Sequence, residues 1–355
     1  MTNETHLVSV IIPFYNTKKE LMDRCVESVI AQTSPNFECV IVDDGSADEY
    51  AAYLSEYEAK DSRIRVVHKA NQGLGSTRNY GVEIANGEYV FFLDSDDYIS
   101  PYTLKTGLEI ICQKDADMVV GGLLHVKPEE TPEFGESVKN TITIESKEEK
   151  KEYVLHLSGI KQSKYQLEQG NTGTSACSRL VKRDLVRTVR FEEDKYWDED
   201  DIWNITFVHK CNRIVVADIL WYAYVINPQS MVRGYAGDRT TEFQYRAKQE
   251  YSLIKELWPE CMQGAYCHIW DGLLRYCRTD SFQSANPNPK AKRYKKFIKA
   301  IDFPEFTDSI QHIDFDFDKR LKFRIVKKTI RRLLLLRNKR MAYWALNICN
   351  RKIVF

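Results

Sequence analysis

The sequence predicts an α/β fold: a doubly wound, mostly parallel central sheet flanked by helices, followed by a mainly helical C-terminal region. Three observations carry this. Short apolar, β-branched runs alternate with helical stretches at the spacing of βα units. These runs are apolar throughout rather than alternating, as strands buried on both faces are. From Asp238 onward helical periodicity takes over, as in Phe243, Ala247, Tyr251, Ile254 and Leu257.

The elements follow in order. Val8–Phe14 reads as the first buried strand. Asn16 and Thr17 can cap a helix, and Leu21, Cys25, Val29 and Ile30 share one of its faces up to about Gln32. Phe37–Val42 is a second strand, stopped by Asp43-Asp44-Gly45-Ser46. A helix over Ala47–Lys60 and a third strand over Ile64–Val67 follow. Ser76–Ala85 is helical, and Tyr89–Leu93 is a fourth strand. A helix runs from after Pro101 to Gln113, and Asp117–Gly121 is a strand. Lys127–Lys151 is polar, contains Pro128 and Pro132, and reads as an insertion or mobile loop. Pro287 and Pro289 break the helical C-terminal region.

Composition narrows the class. The 355 residues are 43% hydrophobic and 29% charged, which excludes a disordered or collagen-like chain. At ~150 residues per domain the length suggests two domains, or one large domain with an appendage. No apolar run approaches the ~18 residues of a transmembrane helix. The first six residues are polar and include Glu4, so no secretory signal is expected. The nine cysteines are scattered without a C-x-x-C pair, which argues against a disulfide framework or zinc knuckle and for a reduced compartment.

Zero net charge conceals an asymmetry. Residues 319–355 hold 13 Lys/Arg and no Asp/Glu, leaving 38 basic against 51 acidic side chains in the preceding 318. Lys290–Lys299 forms a second basic cluster. A tail mixing cations with Phe, Leu, Trp and Ile suits an anionic surface, or else packs on the chain's own acidic body. No nucleic-acid-binding motif accompanies the charge, so nucleic acid is not expected as a partner.

In parallel sheets ligands sit beyond the C-terminal strand ends, so the polar residues there are the candidates for chemistry. Phe91–Asp97 places three carboxylates, Asp94, Asp96 and Asp97, directly after a buried strand. Crowded carboxylates repel, and a hard divalent cation relieves that cost. Asp43 and Asp44 end another strand, where a carboxylate can accept a uracil imide N–H. In isolation each is equally a capping turn. Asn71–Asn79 is a Gly-containing loop entering a helix, and its Arg78 can pair with phosphate or with a strand-end carboxylate. Its glycines match neither G-x-G-x-x-G nor a Walker loop. Asp198-Glu199-Asp200-Asp201 opens a further helix with more acid than a cap needs, and one of these residues can serve as general base. The seven histidines show no metal-ligand spacing.

Val8-Ser-Val-Ile-Ile-Pro-Phe-Tyr-Asn16, Val42-Asp-Asp-Gly-Ser46, Asn71-x-Gly73 with Arg78-Asn-x-Gly81, and Phe92-Leu-Asp-Ser-Asp-Asp97 occur in that order. Together they resemble the GT-A-fold, Rossmann-like family 2 glycosyltransferases of bacterial surface-polysaccharide pathways. Glu199–Trp203 and Trp221–Tyr224 with Ser230-Met231 extend the likeness. The resemblance implies a glycosyltransferase domain over 1–233, with a nucleotide-binding half (1–115) and an acceptor half (116–233). Residues 234–355 form the C-terminal helical, basic region. It implies inverting, Mn²⁺- or Mg²⁺-dependent transfer from a nucleotide sugar, UDP-linked, to a glycan or lipid-linked hydroxyl. By motif position Asp44, with Asp43 as alternative, contacts the base. Pro13, Tyr15, Gly73, Arg78 and Ser95 belong to the donor site, Asp94 lies near the ribose or diphosphate, and Asp96 is the metal ligand. Asp200 is the general base, with Glu199 or Asp201 as substitutes.

Lys127–Lys151 or Gly170–Gly173 is the expected lid over the donor. A cytoplasmic place is expected, with the basic tail on the inner membrane face, and the helical C-terminal region is suited to self-association. The alternatives are a non-catalytic nucleotide-sugar-binding protein and a D-x-D phosphatase, which usually carries Thr or Val where this chain has Tyr98.

Overall fold

The structure, a computed structural model, describes residues 7–160, 163–168, 170–172, 174–193, 199–226, 238–316 and 321–352. The side chains of residues 163, 199, 321–323 and 349–352 lie outside that description. The strands are β1 (Val8–Phe14), β2 (Phe37–Asp43), β3 (Ile64–His68), β4 (Tyr89–Phe92), β5 (Tyr98–Ile99), β6 (Met118–Val126), β7 (Thr141–Ile144), β8 (Arg179–Lys182) and β9 (Ile214–Val225). The first helices are α1 (Lys19–Ile30), α2 (Glu49–Lys60), α3 (Leu74–Ile84), α4 (Thr103–Lys114), α5 (Lys147–Leu157), α6 (Arg183–Val186) and α7 (Glu199–Lys210). The later ones are α8 (Thr240–Leu257), α9 (Met262–Tyr276), α10 (Lys290–Ala300), α11 (Pro304–His312), α12 (Leu321–Leu335) and α13 (Lys339–Lys352).

The described residues divide into two compact units, one within 1–150, 163–195 and 199–227 and the other within 151–162 and 228–355. In the first unit the strands run β3-β2-β1-β4-β8-β6-β9-β5, with β7 also on β9. β3, β2, β1 and β4 are mutually parallel. All seven residues of β1 are buried, which explains its unbroken apolar run. β8 runs antiparallel between β4 and β6, and β6 pairs in parallel with β9. The sheet is therefore mixed but mostly parallel at its centre, as the alternating pattern predicts.

The order fixes where a ligand belongs. From β1 the chain steps to β2 and β3 on one side, then returns to β4 on the other. That reversal is a topological switch point, and it opens a crevice beyond the C-terminal ends of β1 and β4.

One expectation is corrected. Lys127–Lys151 is not a featureless insertion: Thr141–Ile144 forms β7, antiparallel to β9, and Lys147 opens α5. Thr-Ile-Thr-Ile is a short β-branched strand whose signal is diluted by the charged residues around it. In the second proposed lid, Asn171 bridges Leu123 of β6. Gly173 lies outside the described residues, as do Ser230 and Met231.

In the second unit α8–α13 share one core built on Phe243, Trp270, Leu273, Phe297, Phe306 and Ile310. Ile330 and Leu334 of α12 and Ala342 and Leu346 of α13 reach into it.

Gly121 marks a close approach in the first unit. It sits at a register irregularity between β6 and β9, and a Cβ there would meet the Trp221 ring at 2.3 Å. The ring cannot swing away easily, because Trp221 Nε1 donates to Thr106 Oγ1 at 2.9 Å. Overpacking of this kind costs ~1–3 kcal/mol. Gly121→Ala is expected to lose that much stability in urea unfolding; an unchanged midpoint would contradict the packing.

Candidate active site

The strand ends are tied together before any side chain faces a ligand. The amide of Asp44, just past β2, donates to the Phe14 carbonyl of β1, and Leu93 N donates to Ile11 O. Asn16 N donates to Ser46 Oγ, and Asn16 Oδ1 accepts from Ala47 N. The loops after β1 and β2 are thereby one unit, with Tyr15 half exposed at its surface and Pro13 buried within β1.

Asp43 and Asp44 are buried and committed to separate partners. Asp43 Oδ1 accepts from Ser46 N, and its Oδ2 lies 2.8 Å from His68 Nδ1. Asp44 Oδ1 accepts from Lys69 Nζ at 2.6 Å and Gln72 N at 3.0 Å, and its Oδ2 accepts from Gly73 N at 2.8 Å. Asp44 thus fixes the glycine-containing loop at the start of α3. Gly73 has φ 95°, which a side chain would strain, although a Cβ there would meet nothing within 4 Å. The glycine serves backbone geometry and leaves open space at this helix entrance.

Arg78 on α3 is 1% exposed and bridges two carboxylates. Its Nη2 donates to Asp94 Oδ1 at 2.9 Å and its Nη1 to Asp200 Oδ1 at 2.6 Å. The sequence left phosphate and carboxylate open as its partners; both forks meet carboxylates here. The guanidinium also lies 5.3 Å from the Phe191 ring centroid. Phe191 stacks on Trp203 of α7 at 4.9 Å, and Phe92 of β4 meets Phe191 edge-on at 5.3 Å. This aromatic column seats the start of α7, and so Asp200, beside the end of β4.

Neighbouring Asn79 holds the same segment. Its Oδ1 accepts from Phe191 N, while its Nδ2 donates to Phe191 O and Glu193 Oε1. Phe191 was not singled out from sequence; the apolar pair Val189 and Phe191 ahead of the acidic run was the available signal.

The three carboxylates after β4 separate by role. Asp97 is buried, accepting from Tyr222 Oη at 2.7 Å and Val225 N at 2.8 Å. Tyr222 Oη in turn accepts from Asp94 N at 3.1 Å. Burial, then Asp97, pushes the Tyr222 hydroxyl far above its ordinary pKa, so it remains a donor. Ser95 Oγ meets Thr17 Oγ1 at 2.6 Å. Asp96 receives no hydrogen bond from another side chain among the described residues. Burial, then the Asp94 charge, pushes its carboxyl from 3.8 to about 6.

The crevice therefore gathers Asp94, Asp96, Asp200 and Arg78, whereas Asp43 and Asp44 stand two strands away, roughly 10 Å at normal strand spacing. Asp201 is buried, and Glu199 opens α7 with its side chain outside the described residues.

The donor set fits a hard divalent cation. Asp96 offers oxygen that no other side chain hydrogen-bonds among the described residues, and Asp94 beside it raises the cost of its charge. A cation held by Asp96, with Asp94 alongside, would remove that cost.

The sequence profile described as Glycosyl transferase family 2 matches residues 9–189, just over half of the chain. The chain belongs to this family and is a family 2 glycosyltransferase. It is 26% identical over 321 residues to the uncharacterized glycosyltransferase EpsJ of Bacillus subtilis, covering 89% of each. TuaG of the same organism, named for teichuronic acid biosynthesis, is 37% identical over 154 residues, 40% of this chain and 61% of that one. Among solved structures, Staphylococcus aureus TarS 1–349 in complex with UDP-GlcNAc superposes with a TM-score of 0.64 at 23% identity. That match covers 97% of this chain and 91% of that one, and establishes the shared GT-A fold.

Two outcomes follow for the purified protein. In chelator, Asp96 binds a proton in the native state between about pH 4 and 6 that the unfolded chain has released, so its contribution to stability falls as pH rises through that window. Asp96→Asn is expected to raise the melting temperature of the metal-free protein near pH 7 and to abolish any further rise with Mn²⁺. A lower melting temperature would show that the ionised carboxylate is stabilising. Arg78→Met leaves Asp94 and Asp200 unpaired, and should cost ~1–3 kcal/mol in denaturant unfolding, as charged hydrogen bonds do.

Proposed function

We propose that the chain transfers a sugar from a UDP-sugar to a hydroxyl of a glycan or lipid-linked acceptor in cell-surface polysaccharide synthesis, with inversion at the anomeric carbon. The observation that carries this reading is the Arg78 bridge, which brings the strand-end Asp94 and the helix-start Asp200 to one point. The UDP-GlcNAc bound by TarS and the name of TuaG support the donor and pathway classes.

Tyr15 and Asp44 would flank the base, with Asp43 the alternative partner. The open entrance at Gly73 would admit the diphosphate toward the start of α3, where helix amides favour anions. Asp94 and Ser95 would line the ribose and diphosphate, and Asp96 would hold Mn²⁺ or Mg²⁺. When bound, the cation would supply Lewis-acid stabilisation of the leaving diphosphate.

Asp200 would act as general base. Its Oδ1 accepts from Arg78. Oδ2 takes no protein donor among the described residues, and is the atom that would accept the acceptor's proton. The acceptor oxygen then bonds to the anomeric carbon as the bond to the nucleoside diphosphate breaks on the opposite face. One displacement inverts the configuration, by the logic of inverting glycosidases with an alcohol in place of water. Arg78 holds the base in orientation through its bond to Oδ1. Glu199 and Asp201 are the substitutes for this role, and a lipid-linked acceptor would bring the enzyme to a membrane face.

The test is nucleotide release and transfer from a panel of UDP-sugars with Mn²⁺ or Mg²⁺. Asp200→Asn should lower kcat by ~10²–10⁴ while retaining UDP affinity, as loss of a general base does. Asp96→Ala and chelator should both suppress turnover. Full activity in Asp200→Asn would move the base to Glu199 or Asp201; full activity in chelator would remove the metal from the reading.

A further inference from the structure

We propose that the hairpin of α12 and α13 is a docking surface for a bilayer rich in anionic phospholipid. The proposal rests on no part of the catalytic reading.

Two apolar sets run along this hairpin, and folding uses one of them. Ile330 and Leu334 on α12, and Ala342 and Leu346 on α13, are buried in the core of their unit. A second set points away from it: Ile325 is 55% exposed, Leu336 68%, Met341 51% and Trp344 62%. On α12, Ile325, Lys328, Arg332 and Leu335 follow helical spacing along one exposed face, and Leu336 lies just past its end. On α13, Arg340, Met341 and Trp344 do the same. The Leu333–Leu336 run thus divides: Leu334 packs inward, while Leu335 and Leu336 reach solvent.

The turn between the helices sharpens the tip. Asn338 N donates to Leu333 O at 2.9 Å and Arg337 N to Leu334 O at 3.0 Å, which closes α12 in a Schellman motif. Asn338 Oδ1 then accepts from Met341 N at 3.2 Å and caps α13. Arg337 takes the left-handed position, φ 55°, that glycine usually fills. The tip therefore carries a cation where a small neutral residue would fit the backbone better.

Charge selects the occupant. Among the described residues Arg332, Arg337, Lys339 and Arg340 make no ion pair, whereas Lys328 pairs with Asp316 at 2.6 Å. No acidic residue occurs from 319 to 355. Exposed Leu, Met and Trp interleaved with unpaired Arg match an interfacial surface that buries apolar side chains at the headgroup boundary and sets cations against anionic lipid. Trp is favoured at that boundary. No helix among the described residues is long and apolar enough to cross a membrane, so the contact is superficial.

The full chain would be sedimented with vesicles of phosphatidylcholine alone and of phosphatidylcholine mixed with phosphatidylglycerol. Binding is expected only to the anionic vesicles and should weaken with salt. Arg337→Ala with Arg340→Ala should reduce it about 30-fold, the effect of two surface cations at their usual worth. Met341→Ser with Trp344→Ser should also reduce it, with melting temperature unchanged because both side chains are exposed. Trp344 offers a second readout. Trp203, Trp221, Trp258 and Trp270 are buried, so a blue shift on vesicle binding that disappears in Trp344→Phe reports the tip in lipid. Equal binding to neutral vesicles, binding unaffected by these substitutions, or no vesicle binding would overturn the proposal. Concentration-dependent dimerisation lost in Met341→Ser/Trp344→Ser, without vesicle binding, would assign the surface to a second copy instead.

Discussion

A single buried guanidinium holds the site together. Arg78 spans the carboxylate that ends β4 and the carboxylate that starts α7, two elements far apart in sequence. Two acids brought this close without a cation between them would repel. Arg78 between them offsets that repulsion by bonding one oxygen of each. Its planar fork fixes direction as well as charge, which a lysine would not do.

The surrounding architecture supplies what that bridge requires. The parallel strands β1 and β4 deliver their polar ends to one edge, and the chain reversal opens the crevice there. Asp97 and Tyr222 lock the turn after β4 to β9, with Asp97 fully buried and Asp94 and Asp96 only half-buried. The aromatic column Phe92–Phe191–Trp203 sets the position of α7, and Asn79 clamps the segment leading toward it. Asp96, excluded from these bonds, bears the electrostatic strain that a cation would relieve.

Much of this was legible in the sequence because it depends on local pattern. Val8–Phe14 is a strand over the same residues in the structure, since seven apolar residues buried on both faces leave little choice. The acidic motifs were legible because strand ends in a parallel sheet are where polar residues collect. The partners were not. Arg78 had two chemically sound partners, and only the three-dimensional approach of α3, β4 and α7 decides between them. Asp44 reads as a base contact, yet it also anchors Lys69 and the loop at Gly73. Tyr222 lies in an apolar strand and gives no sign that its hydroxyl reaches Asp97. β7 was missed because four residues amid charged neighbours carry too little periodicity.

The most direct measurement is a crystal structure of the protein with UDP and Mn²⁺. The account predicts Mn²⁺ on Asp96, the diphosphate between that ion and the start of α3, and uracil beside Tyr15 and Asp44, with the Arg78–Asp200 pair intact. A nucleotide bound away from the crevice beyond β1 and β4, or Mn²⁺ bound without Asp96, would contradict it.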